Sequence, residues 1–160
     1  MDFGASDAAL NDEQMARVTS GTSLVPVTAG IVVAAYNLRG LGGPLKLGRD
    51  VLPDIFSGRI RSWSDARIRA SNPGLNLPKR DIAVVARLDG SGTTFAFTNH
   101  LTATSTAWRD QGPGVGTRVD WRGMAMLAPG NEGVAGRIKL AEGAIGYVEY
   151  HFAKRLGLPI

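Results

Sequence analysis

The sequence contains no cysteine. Thiol catalysis, cysteine-type zinc sites and any disulfide framework are therefore excluded, while the redox compartment stays open, because a cysteine-free chain suits cytoplasm and periplasm equally. No run approaches the roughly 18 consecutive apolar residues of a membrane-spanning helix, so no membrane insertion is expected. The opening stretch MDFGASDAALNDEQ also lacks the basic n-region and apolar h-region of a signal peptide. The expectation is either a cytoplasmic protein or a natural start lying upstream. Histidine is scarce: His100 and His151 are isolated, make no metal site by spacing, and read as surface or helix residues. No cofactor is implied, and neither an internal repeat nor a low-complexity tract interrupts the chain.

What is present describes one ordinary domain. With 160 residues, 44% of them hydrophobic, the chain is long enough to bury roughly 70% of its unfolded surface without a metal or disulfide. The formal net charge is +4, and Arg59, Arg61, Arg67, Arg69, Lys79 and Arg80 form the densest basic region. Asp54 and Asp65 are interleaved with these cations and aromatic residues for stacking are few. The region therefore reads as a solvated basic face, with a polyanion-binding surface as the alternative and no nucleic-acid partner expected.

Strand and helix signals alternate along the chain. LVPVTAGIVVAA (residues 24–35) is rich in β-branched residues and predicts a strand, or two nearly continuous ones broken at Gly30. In RDVLPDIFSG, the spacing of Val51, Leu52, Ile55 and Phe56 predicts a helix with Asp50 as N-cap, Pro53 in the first turn and Gly58 as the stop. A short helix is expected over residues 64–70, ending before the Asn72-Pro73-Gly74 turn, and DIAVVA (residues 81–86) has the length of a buried strand. Phe97, Leu101, Thr104 and Trp108 fall on one helical face. Residues 111–116 read as a loop, 118–121 as a short strand and 131–140 as a helix opened by Asn131 and Glu132. AIGYVEY (144–150) reads as a strand and 152–156 as a terminal helix. This alternation predicts an α/β domain with a mostly parallel sheet flanked by helices.

In that architecture RLDGSGTTFAFT (residues 87–98) is a strand-to-helix turn, the place where α/β proteins bind ligands. Helix N-termini offer unpaired N–H groups and a partial positive charge. Gly90 and Gly92 allow close backbone approach, Ser91 and Thr93 add hydroxyl donors, and the Arg87 guanidinium suits an oxyanion. A plainer reading stands beside this one: Ser91 caps the helix and Arg87 merely pairs with Asp89. The turn is neither a P-loop nor a nucleophile elbow, and neither histidine is marked as a base for Ser91.

Six segments in order then carry a resemblance: DFGASDA, DIFSGRIRSW, NPGLNLP, RLDGSGTTFAFT, GNEGVA and GAIGYVEY. Together, over nearly the whole chain, they closely resemble the periplasmic phosphate-binding proteins of bacterial phosphate ABC transporters. The resemblance implies one lobe of a type II periplasmic-binding-protein fold, in which two α/β lobes close on a dehydrated phosphate. Residues 1–28 would be a remnant of the first lobe and the hinge, and residues 29–160 the second lobe. It also implies that Arg87, Ser91, Gly92 and Thr93 bind phosphate, with Asp89 orienting the arginine and Gly90 supporting the turn. Asp7 of the GASDA motif would accept a hydrogen bond from a protonated phosphate oxygen, which sulfate lacks near pH 7, so sulfate is rejected. The implied partners are inorganic phosphate and, through a full-length protein, an ABC permease outside the cytoplasm; no enzymatic activity is implied.

Members of that family are about twice as long. The expectation is a truncated chain that lacks a signal peptide, two further phosphate-contacting segments upstream and the region that completes the first lobe. Losing two or three charge-assisted hydrogen bonds of about 1.5–3 kcal/mol each would weaken binding by a factor of several hundred or more. Two other function classes stay in view: a hydrolase or phosphotransferase using Ser91, and a basic module that interacts with nucleic acid.

Overall fold

The computed structural model describes residues 4–6, 8–121 and 124–160. Eleven elements follow one another among them: α1 (Asp12–Ala16), β1 (Val32–Tyr36), α2 (Val51–Phe56), α3 (Ala66–Ser71), β2 (Ala83–Arg87), α4 (Gly92–Thr104), α5 (Thr106–Gln111), β3 (Ala125–Ala128), α6 (Gly130–Leu140), β4 (Ala144–Glu149) and α7 (Tyr150–Arg155). Four strands form a mixed sheet in the order β1-β4-β2-β3. β2 pairs in parallel with both β3 and β4, whereas β1 runs antiparallel to β4 with Val32 opposite Glu149. The mostly parallel α/β sheet expected from the alternation is thus present.

The pleat divides the core in two, because successive strand residues face opposite sides. Val84, Ala86, Ile145 and Tyr147 face a large cluster with Phe56, Phe97, Leu101, Trp108 and Trp121. Val85, Ala144 and Val148 face a smaller one built with Val134, Ala135 and Ile138 of α6 and Ala153 of α7. On this second side α6 sits so close that a Cβ at Gly146 would lie 2.8 Å from Ile138 Cδ1 and 2.7 Å from the Val85 carbonyl oxygen. The glycine is therefore what lets the helix approach the sheet.

Three sequence expectations need correction. The apolar run 24–35 is a strand only at its end: Leu24, Val25, Val27 and Ile31 are 51%, 73%, 87% and 67% exposed, in irregular backbone. Its β-branched composition expresses a propensity that no described neighbour strand satisfies, and Pro26 lacks an N–H to donate. Residues 118–121 form no strand; the neighbour of β2 is instead the short Met-containing segment Ala125–Ala128. The long helix breaks at Ser105, which ends α4 and whose hydroxyl accepts from the Trp108 backbone N–H at 3.1 Å to start α5. Trp108 still reaches the core. Beyond these, α1 has a full capping box, Asn11 with Gln14, that sequence reading passed over.

Elsewhere the expected helices form within a residue or two. Gly58 closes α2 at φ +73°. Asp65 caps α3 through its carboxylate, whereas Asp50 occupies the N-cap of α2 without a side-chain cap bond. The basic region is laced with acids: Arg59 and Arg67 reach the two carboxylate oxygens of Asp54 at 2.9 and 2.6 Å. That arrangement is a solvated, locally neutralised face. No helix among the described residues is long and apolar enough to cross a membrane.

Candidate anion-binding site

Since β2, β3 and β4 are parallel, their carboxyl ends share one edge of the sheet, and α4, α6 and α7 all start there. Three helix N-termini therefore converge on the edge where ligands bind in such sheets.

The β2–α4 turn is the most elaborate of the three connections. Ser91 is extended (φ −148°, ψ 130°) and its hydroxyl oxygen accepts from the Thr94 backbone N–H at 3.2 Å, capping α4. The Ser91 N–H donates to the Thr117 carbonyl at 2.9 Å, which ties the turn to the 112–121 loop. Arg87 ends the strand with its side chain only 10% exposed, and its guanidinium grips Asp89 in a fork. Nε donates to Oδ1 at 2.9 Å, and Nη2 to Oδ2. The same Oδ1 accepts the Gly130 backbone N–H at 2.9 Å. The Arg87 guanidinium, helped by that N–H, holds the Asp89 carboxyl well below the usual carboxylate range.

The plainer reading of the turn is present as geometry. Ser91 caps the helix and Arg87 pairs with Asp89, yet the cap uses Ser91 as an acceptor and leaves its O–H to donate. First-turn amides at Gly92 and Thr93 have no acceptor within their helix. Ser91 and Thr93 are 5% and 3% exposed, so these donors sit at the base of the edge and not on its rim. The nucleophile reading fares worse: the described hydrogen bonds of Ser91 go to Thr94 and Thr117, with no histidine or carboxylate among them. His100 and His151 are both exposed.

Tyr147 holds the floor under Arg87. Its ring stacks on Phe97 with centroids 4.5 Å apart, and its hydroxyl accepts the Arg87 backbone N–H at 3.2 Å and meets Thr94 Oγ1 at 2.8 Å. Burial raises the Tyr147 phenol above its ordinary pKa, so it stays protonated and neutral. Beside Arg87 opens a cleft of about 190 Å³ lined by Leu88, Arg118, Asp120, Trp121 and Leu127 among others. The guanidinium of Arg118 lies over the turn, with Nε 3.7 Å from where a Cβ at Gly90 would stand.

Of the residues expected at the site, Arg87, Asp89, Gly90, Ser91, Gly92 and Thr93 lie together in this one turn; Asp7 lies outside the described residues. Sequence reading missed Tyr147, Gly130, Asn131 and Glu149. Asn131 Nδ2 donates to Glu149 Oε1 at 2.9 Å and faces Thr93 Oγ1 at 3.4 Å. The available signal was the GNEG stretch and the Tyr-Val-Glu at the end of β4, both visible as motifs but not assignable to a role without the sheet order. Among the described residues no group of acidic or histidine side chains could hold a metal ion.

At the centre of this parallel sheet edge, where three helices begin, stands the arginine–aspartate fork. The family described as the PBP superfamily domain matches residues 1–160, and the chain belongs to that family. It is 44% identical over 154 residues to the phosphate-binding protein PstS of Xylella fastidiosa, covering 96% of this chain and 41% of that one. To the PstS of Haemophilus influenzae it is 42% identical over 158 residues, 97% of this chain and 46% of the relative. Among solved structures, PfluDING, a high-affinity periplasmic phosphate-binding protein bound with phosphate, superimposes with a TM-score of 0.74. That match has 27% identity over 92% of this chain and 41% of the other. The chain thus spans less than half the length of these relatives, and its fold is one lobe of theirs.

Proposed function

We propose that the chain is the phosphate-binding lobe of an extracytoplasmic receptor that serves a phosphate ABC transporter. The observation that carries this reading is the Arg87–Asp89 fork at the start of α4, where a fixed, always-charged donor meets a helix N-terminus. Arg87, Ser91, Gly92 and Thr93 donate to the phosphate oxygens. Asp89 and Gly90 shape the turn, and Asp7, on its sequence motif alone, accepts a hydrogen bond from a protonated phosphate oxygen. Residues 1–28 belong to the first lobe and the crossing, and residues 29–160 form the second lobe. The role is binding and delivery to a permease, without chemistry on the phosphate.

A single lobe supplies only part of the hydrogen bonds that would desolvate phosphate, so binding by this chain alone is weak. Calorimetric titration at pH 7, with sulfate as the control anion and Arg87→Ala as the second protein, tests the reading. Phosphate heat that disappears in Arg87→Ala, a loss of about 30-fold or more in affinity, and that sulfate does not reproduce is the expected result. Equal binding of phosphate by Arg87→Ala sinks it.

A further inference from the structure

We propose that Asn131 is a positioning residue of this site, one that fixes the Thr93 hydroxyl as a donor toward the ligand. The inference rests on the phosphate reading for its ligand, but its geometry stands on hydrogen bonds already present. An asparagine amide has one accepting oxygen and two donating N–H bonds. Glu149 tells the two ends apart, because its backbone N–H can only donate and its carboxylate can only accept. Oδ1 of Asn131 lies 3.3 Å from the Glu149 nitrogen, and Nδ2 lies 2.9 Å from Glu149 Oε1. A flipped amide would set N–H against N–H and oxygen against carboxylate, so the orientation is determined. The second N–H of Nδ2 then faces Thr93 Oγ1 at 3.4 Å, and the threonine oxygen is the acceptor of that contact.

The hydroxyl proton of Thr93 must consequently point elsewhere. Further along α4 the threonines give theirs to the carbonyl four residues back, Thr98 to Thr94, Thr102 to Thr98 and Thr104 to His100, at 2.8, 3.0 and 2.9 Å, while Thr94 in the first turn meets the Tyr147 hydroxyl. Thr93 makes no such bond among the described residues, since it stands in the first turn where no helical carbonyl precedes it. Its oxygen is held by Asn131 and its proton is left for the sheet edge. Such a group suits an oxyanion oxygen that only accepts, and it disfavours placing the P–OH of monohydrogen phosphate at this point. Asn131 thereby helps decide which phosphate oxygen sits where, and Glu149 is the group that holds Asn131 in register.

Inorganic phosphate titrations of the whole chain, the Thr93→Val and Asn131→Ala variants and the double variant test the coupling. Thr93→Val is expected to weaken phosphate about 10-fold or more, and Asn131→Ala about 3- to 10-fold. The double variant should match Thr93→Val within about twofold, because Asn131 acts through the hydroxyl already removed. Multiplying effects, or an Asn131→Ala affinity equal to that of the unmodified chain, overturns the inference. If the unmodified chain binds no phosphate at all, it is the reading of the ligand that fails. The positioning claim is then decided without ligand, by the side-chain amide proton resonances of Asn131 in the unmodified chain and in Thr93→Val. One of the two protons should shift on loss of the hydroxyl; unchanged resonances for both reject the contact.

Discussion

Two strand-to-helix turns meet at the sheet edge and are built on opposite principles. The β2–α4 turn carries its own cap, Ser91, and its own charges, Arg87 and Asp89. The β3–α6 turn carries neither: Pro129 stands at its N-cap without a side-chain hydrogen bond, and Gly130 enters the helix at φ +64°. Yet α6 does not leave its first amide to water. The Gly130 N–H reaches across to Asp89, and Asn131 reaches across to Thr93. The plain turn thus serves as a brace for the charged one. On the proposed reading, a ligand at α4 would meet donors already held by a second helix, so less freedom would be lost when it arrives.

Removing the shared carboxylate should have the largest effect on this arrangement. Asp89→Ala leaves the mostly buried Arg87 without its fork and Gly130 without its acceptor. Breaking a fully buried pair costs about 3–5 kcal/mol, and the Asp89 side chain is 42% exposed. Discounted for that exposure, the expected loss is about 2–3 kcal/mol in chemical denaturation. Next comes Tyr147→Phe, which keeps the stacked ring but strips the acceptor from the Arg87 N–H in the floor, at about 1–2 kcal/mol. Third is Gly130→Ala, where nothing lies within 4 Å of the new methyl and only the left-handed backbone resists. About 1 kcal/mol is expected there. If Gly130→Ala costs as much as Asp89→Ala, the two turns are not brace and braced but a single strained unit.

The ranking also shows what a sequence can and cannot reveal. Arg87, Ser91 and Thr93 are neighbours in the chain, and their turn could be placed between a strand and a helix from the apolar run before it and the 3.6-residue spacing after it. The brace was hidden because its partners are distant in sequence: Asp89 from Gly130, Thr93 from Asn131, Arg87 from Tyr147. Those meetings depend on β4 and β3 flanking β2, a sheet order that no local pattern encodes. β3 itself escaped notice because it is only four residues long, Met126 and Leu127 included, while the longer β-branched run at 24–31 lies exposed and irregular. Propensity names segments that can become strands; a neighbour with free backbone groups decides which of them do.

The smallest effect, and the sharpest probe of the brace, is the acid dependence of Asp89. Its carboxyl is held below the ordinary range, first by the Arg87 guanidinium and further by the Gly130 N–H. A carboxyl depressed in the folded state contributes stability that is fully present above its unfolded value, near 3.9, and is lost as pH falls through the folded one. Comparing the chain with Asp89→Asn, which retains an oxygen for Gly130, the stability difference should stay level from about pH 8 to pH 5 and begin to shrink below about pH 4. Because Asp89 is partly exposed, that pH-dependent part should amount to less than about 1 kcal/mol. It should fall further in about 1 M salt, where screening reaches only a few ångströms. No stability difference between the two proteins at neutral pH would mean that the carboxylate charge is not what joins the two turns, and that the Gly130 hydrogen bond, which asparagine can also accept, holds them by itself.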